Sequence, residues 1–320
     1  MKRNATRLAA GVVLVVALGA CADDPFNGKA DDALPRPSVC ARGYTDPVAL
    51  SAPQASALIE ASGLVASRTS RGVLWAHADS GNDPVLYALG ETGELLGELM
   101  LEGVDVEDAE DLAASTCPDD PGSCLWLADT GDNAAKREVV TLFAVREPMV
   151  PLTGWSSAQT AELVARIDFT YEDGPRDVEA VVVTGDGASA LLIEKRDAAL
   201  APFHVLDLTA SAPRVAHRAG TFNAPGLGID KGRMVTGADL HPLGQRLAVR
   251  TYTGSFELAF AGALEEALLD ATLTTLAWGP LDEPQGEALA YAQDGVDFFT
   301  LSEDPQGTTP QPLHRYPCKD

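Results

Sequence analysis

The sequence predicts an all-β chain folded as a single β-propeller, with six four-stranded blades favoured over five or seven. Three observations carry this. Short apolar runs recur between Gly, Asp, Asn and Pro turns: Val73–Ala76, Leu125–Ala128, Val181–Val183 and Leu191–Ile193. That is the punctuation of strands. Helical periodicity is confined to two short stretches, Ala55–Ala61 and Ala263–Leu269, which leaves no long helices to alternate with strands as an α/β fold requires. Thirdly, one kind of segment repeats along the chain.

The repeated segment joins two small or acidic residues to a run of aliphatics. Its copies are Ser62-Gly63-Leu64-Val65, Glu110-Asp111-Leu112-Ala113, Glu179-Ala180-Val181-Val182 and Glu287-Ala288-Leu289-Ala290, with Ala238-Asp239-Leu240-His241 a looser member. A second apolar strand ending in polar groups follows several of them: LWAHADSGN from Leu74, LWLADTGDN from Leu125, LLIEKR from Leu191 and LAVRTYT from Leu247. Tyr87–Leu89 and Leu142–Val145 supply third strands. Starts near 62, 110, 179, 239 and 287 are 48, 69, 60 and 48 residues apart, a spacing that suits four-stranded blades with some long outer loops. Five copies are visible. The sixth blade is expected from the segment around Cys40–Leu50 together with C-terminal strands. An irregular β-sandwich is the competing architecture.

The N-terminus carries an export signal. Lys2, Arg3 and Arg7 precede a short apolar run, Leu8–Leu18, and Leu18-Gly19-Ala20-Cys21 has the form of a lipobox. Residues 1–20 are therefore read as a lipoprotein signal peptide, with Cys21 the lipidated residue. Residues 21–39 are read as a flexible tether and 40–320 as the propeller domain. Ala22 after the cysteine favours anchorage to the outer membrane, facing the periplasm or the cell surface. Losing residues 1–20 removes three basic and no acidic residues, which takes the formal net charge from −24 to −27. Such a surface repels nucleic acid and anionic headgroups, so the lipid is the expected contact with the membrane and the protein is expected to be a monomer.

Four cysteines remain for an oxidising compartment. They allow three pairings. Proximity favours Cys117 with Cys124 across a Pro- and Asp-rich loop, which by elimination pairs Cys40 with Cys318 and locks the two ends of the domain together. A zinc site is the alternative, but CxxC spacing is absent.

The stretches EASGLVASRTSRGVLWAHADSGN, DAEDLAA, ADTGDN, YEDGPRDVEA and RTYT together resemble a family of secreted bacterial β-propeller lipoproteins, over nearly all of residues 55–300. More distantly, the acidic blade starts are similar to six-bladed propellers of the gluconolactonase, NHL and phytase-like kinds. The resemblance implies a propeller and, through some of the distant relatives, calcium-dependent hydrolysis. It carries no catalytic residue onto this chain by motif.

The first strand of a propeller blade lines the central channel. Glu110, Glu179 and Glu287 occupy matching positions, so they are expected to converge there and to need a cation. Calcium takes six to eight oxygens, and Asp129 and Asp239 are added as candidate ligands of a Ca2+ ion. Lys195 and Arg250 end second strands and could neutralise the carboxylates instead. His77, Asp79, Asp132, Asn133, Arg176, Lys195 and Arg250 form the candidate ligand-binding set at the channel mouth. Asp129–Asn133 (DTGDN) reads equally as part of a calcium loop or as an Asx-stabilised turn. No GxSxG elbow accompanies the scattered histidines. Two functions compete: a binding module that holds an unknown small-molecule or protein ligand at an acidic channel, and a calcium-dependent lactonase or phosphoesterase using the same carboxylates. A purely structural envelope role is a third.

Overall fold

The computed structural model describes residues 34 and 36–319, apart from 198–199, 225–231, 261, 265–267, 269–272 and 278–282. The expected signal peptide, Cys21 and most of the expected tether lie outside the described residues, as does most of the helical stretch at 263–269. The other helical stretch is a 3-10 turn, Ser56–Glu60. Among the described residues no helix is long and apolar enough to cross a membrane.

Among the described residues the strands form five blades. Blade 1 contains Ala61–Ala66, Val73–Ala78, Val85–Gly90 and Leu95–Met100, from the channel outward. Blade 2 contains Ala109–Thr116, Ser123–Asp129, Val140–Arg146 and Leu163–Tyr171. Blade 3 contains Val178–Val183, Ser189–Glu194, Leu200–Asp207 and Arg214–Asn223. Blade 4 contains Val235–Leu240, Arg246–Thr251, Gly254–Ala259 and Leu273–Ala277. Blade 5 contains Gln285–Tyr291, Phe298–Glu303 and His314–Tyr316, with Val48–Ala49 as its outermost strand. The inner strands touch in the order 1, 2, 3, 4, 5 and back to 1, so the ring closes on itself.

This corrects the expected sixth blade. The chain after Cys40 does not found a blade of its own. Val48–Ala49 instead pairs antiparallel with His314–Arg315 and completes the fifth blade. Closure by joining the two chain ends is present, within one blade fewer.

A second device ties the rim. After Arg146 the chain crosses to blade 1, where Gln159–Thr160 pairs parallel with Leu99–Met100. It returns as the outer strand of blade 2, which pairs parallel with the outer strand of blade 3 through Phe169–Tyr171 and Arg214–Ala216. Blades 1, 2 and 3 are thus linked at the rim as well as at the channel.

Five apolar clusters fill the five gaps between blades. Trp75 and Trp126 occupy the same place in the second strands of blades 1 and 2, and both are fully buried. Their indole N–H groups are satisfied by Glu147 at 3.1 Å and Ser115 at 2.8 Å respectively, as a buried indole requires. The disulfides are Cys40–Cys318 and Cys117–Cys124. The first lies beside the cluster of blades 4 and 5, where Tyr44 meets Phe298 edge-on and Phe298 stacks on Tyr316.

Candidate functional site

The site starts from a shared irregularity. Every inner strand skips one residue in its pairing with the second strand, and the skipped residues are Ser62, Glu110, Glu179, Thr236 and Glu287. A bulge re-aims its side chain, and here five bulges at the same height aim five side chains at one end of the channel. Ser62 and Thr236 use their hydroxyls to clasp the next blade, donating to the carbonyls of Glu110 at 2.6 Å and Gly286 at 2.7 Å. The three glutamates face the mouth. The fourth repeat therefore begins at Thr236, not at Asp239.

The residue after each bulge is Gly63, Asp111, Ala180, Gly237 or Ala288. Four are small, and Asp111 fills the space they leave. Its carboxylate accepts backbone N–H groups from Leu112 and Val181 at 2.8 Å and from Ala238 at 3.3 Å, joining blades 2, 3 and 4. Burial holds its carboxyl group well above the usual carboxylate range. Sequence reading passed over this residue because only its neighbour Glu110 has counterparts in other copies.

Two more aspartates reach the mouth. Asp108 and Asp177 each stand two residues before a glutamate, immediately ahead of the inner strands that begin at Ala109 and Val178. Asp108-Ala109-Glu110 and Asp177-Val178-Glu179 thus bring each aspartate to the same end of the channel as the bulged glutamate that follows it. That D-x-E spacing was a legible signal. Two overlapping groups result: Asp79, Asp108 and Glu110, and Glu110, Asp177 and Glu179, each offering oxygens within 4.8 Å of one another. Oxygens on opposite sides of a Ca2+ ion stand about 5 Å apart at most. The donors are all carboxylate oxygens, which suits a hard divalent cation over zinc. Gly131 lies against the first group. A Cβ there would come within 2.1 Å of Glu110 Oε1 and 2.6 Å of Asp108 Oδ2, so the glycine of DTGDN lets the turn close over the cluster.

The electrostatics are those of crowded acid. Burial raises the carboxyls of Asp79, Asp108, Asp177, Glu110 and Glu179, the last two strongly. Glu110 is pushed further by Glu179, Asp79 and Asp108, and Glu179 by Glu287. Glu287 is pushed up to about 8, chiefly by burial. Lys195 donates a short hydrogen bond to Glu179 and lies 5.4 Å over the Tyr252 ring. Burial alone would lower its pKa, but the Glu179 and Glu287 carboxylates outweigh this and keep the ammonium protonated. Lys195 is thus an electrostatic group rather than a nucleophile. Among the described residues, Glu179 Oε2 is buried without a hydrogen-bond partner.

A cleft of about 590 Å³ opens beside this cluster, lined by Asp132, Asn133, Arg176, Asp177, Lys195 and Tyr252 among others. Asp177 and Lys195 belong to both cluster and cleft. Asp132 spends its carboxylate capping its own turn, accepting the backbone N–H groups of Lys136 and Arg137. Arg176 is braced by Asp173 at 2.8 Å and Glu194 at 3.3 Å.

Four expected site residues stand elsewhere. Asp129 is engaged by Arg137 at 2.9 Å and by the amides of Glu107 and Asp108, which holds it outside the cluster. Asp239 lies toward the opposite end of its strand, in a pocket of about 50 Å³ with Arg68 and Gln293. Its carboxylate accepts the Tyr291 N–H at 2.8 Å. Arg250 is buried against Gly286 and paired with Glu283, away from the cleft. His77 is buried in the wall where Gly63 leaves room for its ring, with Nδ1 2.9 Å from the Ala78 carbonyl. Burial pushes its pKa down to about 4, so it is neutral near pH 7 and shut off from the cleft.

Asp239 makes a pH prediction. Burial pushes its pKa up to about 7 although Arg68 opposes the rise. The folded chain keeps a proton that the unfolded chain releases above about pH 4, so this residue's contribution is present in acid and lost as pH rises towards 7. The side chain is open along one edge to its pocket, so on the order of 1–2 kcal/mol is expected. Asp239→Asn should match the wild type in thermal unfolding at pH 4 and exceed it at pH 8. Equal melting at both would remove this account.

Compared with known protein families and with curated proteins, the chain matches none. Among solved structures it is similar to a chain of a crystal structure of the mitotic checkpoint complex. The identity is 15%, the TM-score 0.36, and the match covers 80% of this chain and 63% of that one. The propeller assignment rests on the blade topology itself. A propeller with an acidic channel end beside an open cleft is a scaffold for binding a ligand or partner.

Proposed function

We propose that this chain is an exported lipoprotein, anchored through Cys21 to the outer membrane, whose propeller holds Ca2+ at the acidic end of its channel. The cleft beside the ion then receives a small-molecule or protein ligand. The observation that carries this reading is the shared corner of cluster and cleft. Asp177 contributes to both, so a cation held by Glu110, Asp177 and Glu179 would keep one side turned to the cleft, where a ligand oxygen could complete its shell. The basic Lys2, Arg3 and Arg7, the apolar run Leu8–Leu18 and the lipobox-like Leu18-Gly19-Ala20-Cys21 support the anchor.

The same corner favours a second reading, a calcium-dependent lactonase or phosphoesterase. There the cation would polarise a substrate oxygen and Lys195 would offset developing negative charge.

Calorimetric titration of the metal-stripped protein with Ca2+ tests the common premise. Saturable binding with a rise in melting temperature is expected, and Glu179→Gln should weaken it at least tenfold. Absence of any heat or thermal shift would sink both calcium readings. Turnover of a lactone or phosphoester panel that vanishes in Glu179→Gln would decide for the hydrolase over the binding module.

A further inference from the structure

The two ends of the channel differ in what is joined to them. The inner strands begin at the mouth, where the bulged glutamates lie, and end at the opposite base. Base hairpins connect each inner strand to the second strand, such as His241–Gln245 in blade 4 and Ala292–Asp297 in blade 5. The described N-terminal segment is held there. The Ser38 N–H donates to the Asp294 carbonyl at 2.7 Å, and the Ser38 carbonyl lies 3.2 Å from His241 Nε2. The Cys40–Cys318 bridge and the Tyr44–Cys318 ladder contact continue the attachment. The chain therefore joins the propeller at the base, and the acidic mouth is the far end.

We infer that the membrane-anchored protein stands on its base, with the acidic mouth and its cleft turned away from the bilayer towards the aqueous compartment. This rests on the anchor proposed above. Two physical arguments set the pose. The first is reach. The sixteen residues 22–37 span at most about 55 Å when fully extended. Mouth and base are separated by the length of an inner strand, roughly 20–25 Å, so the base is on average nearer the lipid. The second is charge. Reach alone permits an inverted pose, but that pose would press the exposed and half-exposed acids of the mouth loops, Glu60, Asp79, Asp83, Glu107, Asp108 and Asp177, against anionic headgroups. An anionic leaflet repels them over about one Debye length. A ligand would then arrive from solution, and a lipid headgroup in the same leaflet would be out of reach of the cleft.

The test uses the full-length lipidated chain in vesicles containing anionic lipid and a headgroup nitroxide quencher. Ala134→Cys places a fluorophore on an exposed mouth loop and Gln245→Cys places one on an exposed base hairpin. All other cysteines are lipidated or disulfide-bonded in this reading. The expected result is quenching at least twofold stronger at position 245 than at 134, with the difference shrinking at high salt. Quenching at 134 equal to or above that at 245 overturns the pose while leaving the anchor intact. Failure of the chain to float with vesicles sinks the anchor, and the pose with it. The Cys21→Ala variant gives the unanchored baseline for both readings.

Discussion

Replacing Cys40 and Cys318 with serine is expected to cost more stability than any other disulfide change in this protein. The bridge closes a loop with a sequence separation of 278, against 7 for Cys117–Cys124. Cross-linking removes loop-closure entropy from the unfolded chain in proportion to the logarithm of loop length. That amounts to about 5 kcal/mol for the long loop and roughly half as much for the short one. The long bridge also fastens the seam at which the ring is closed. Val48–Ala49 pairs with His314–Arg315, and its flanks add the Tyr44–Cys318 ladder contact and the Thr45 and Leu50 N–H groups donating to the Pro317 and Leu313 carbonyls. Loss of the bridge therefore acts first on that seam. The double variant should melt roughly 10 °C or more below the wild type. It should also show early hydrogen exchange in Val48–Ala49 and His314–Tyr316. The Cys117→Ser, Cys124→Ser pair should lose less and exchange normally at blade 5. Equal losses from the two double variants would show that ring closure does not depend on the bridge.

Lys195→Met is expected to act in opposite directions with and without a divalent cation. Without one, the substitution leaves Glu179 and Glu287 facing each other with no ammonium between them. Removing one partner of a buried pair costs about 3–5 kcal/mol. Both carboxyls already lie above the usual carboxylate range, because burial favours their protonated forms. Part of the cost will therefore be met by proton uptake, and the loss should be smaller at pH 5 than at pH 8. With Ca2+ present the sign reverses. The ammonium competes with the cation for the same oxygens, so its removal should raise calcium affinity at least tenfold and enlarge the calcium-induced thermal shift. Melting curves at both pH values, each with EDTA and with Ca2+, measure all four corners. A Lys195→Met protein that gains less from calcium than the wild type would mean that the ion is not held by Glu179.

Much of this arrangement was legible before folding was considered. The near-identical LWAHADSGN and LWLADTGDN segments identify equivalent second strands, and both of their tryptophans are buried at equivalent places. The matching glutamates were also legible, since an acid repeated at the same place in three strand starts, Glu110, Glu179 and Glu287, aims those acids at one axis. Blade number was not. The segment after Cys40 carries a plausible strand pattern, but a strand of two residues reads the same whether it opens a new blade or completes an old one. The site was half legible. Asp129 and Arg250 sit in motifs that look like ligands, yet an aspartate whose arginine, Arg137, is eight residues on, or an arginine whose glutamate, Glu283, lies 33 residues on at the start of the next blade, is neutralised only once the chain is folded.

The sequence by itself determined the local order of this protein: where strands begin and end, which residues recur at the start of a blade, and which four cysteines are available to each other. Those are properties of periodicity and turn chemistry, which act over a few residues. The tertiary structure decided what depends on residues far apart in the chain. It decided that five blades close the ring, that Asp108 and Asp177 join Glu110 and Glu179 in one acidic cluster, and that Asp239 belongs to the other end of the channel. A bulge of one residue, repeated five times, is what converts the one kind of order into the other. It turns a side chain out of its own sheet and towards four others that the sequence places tens of residues away.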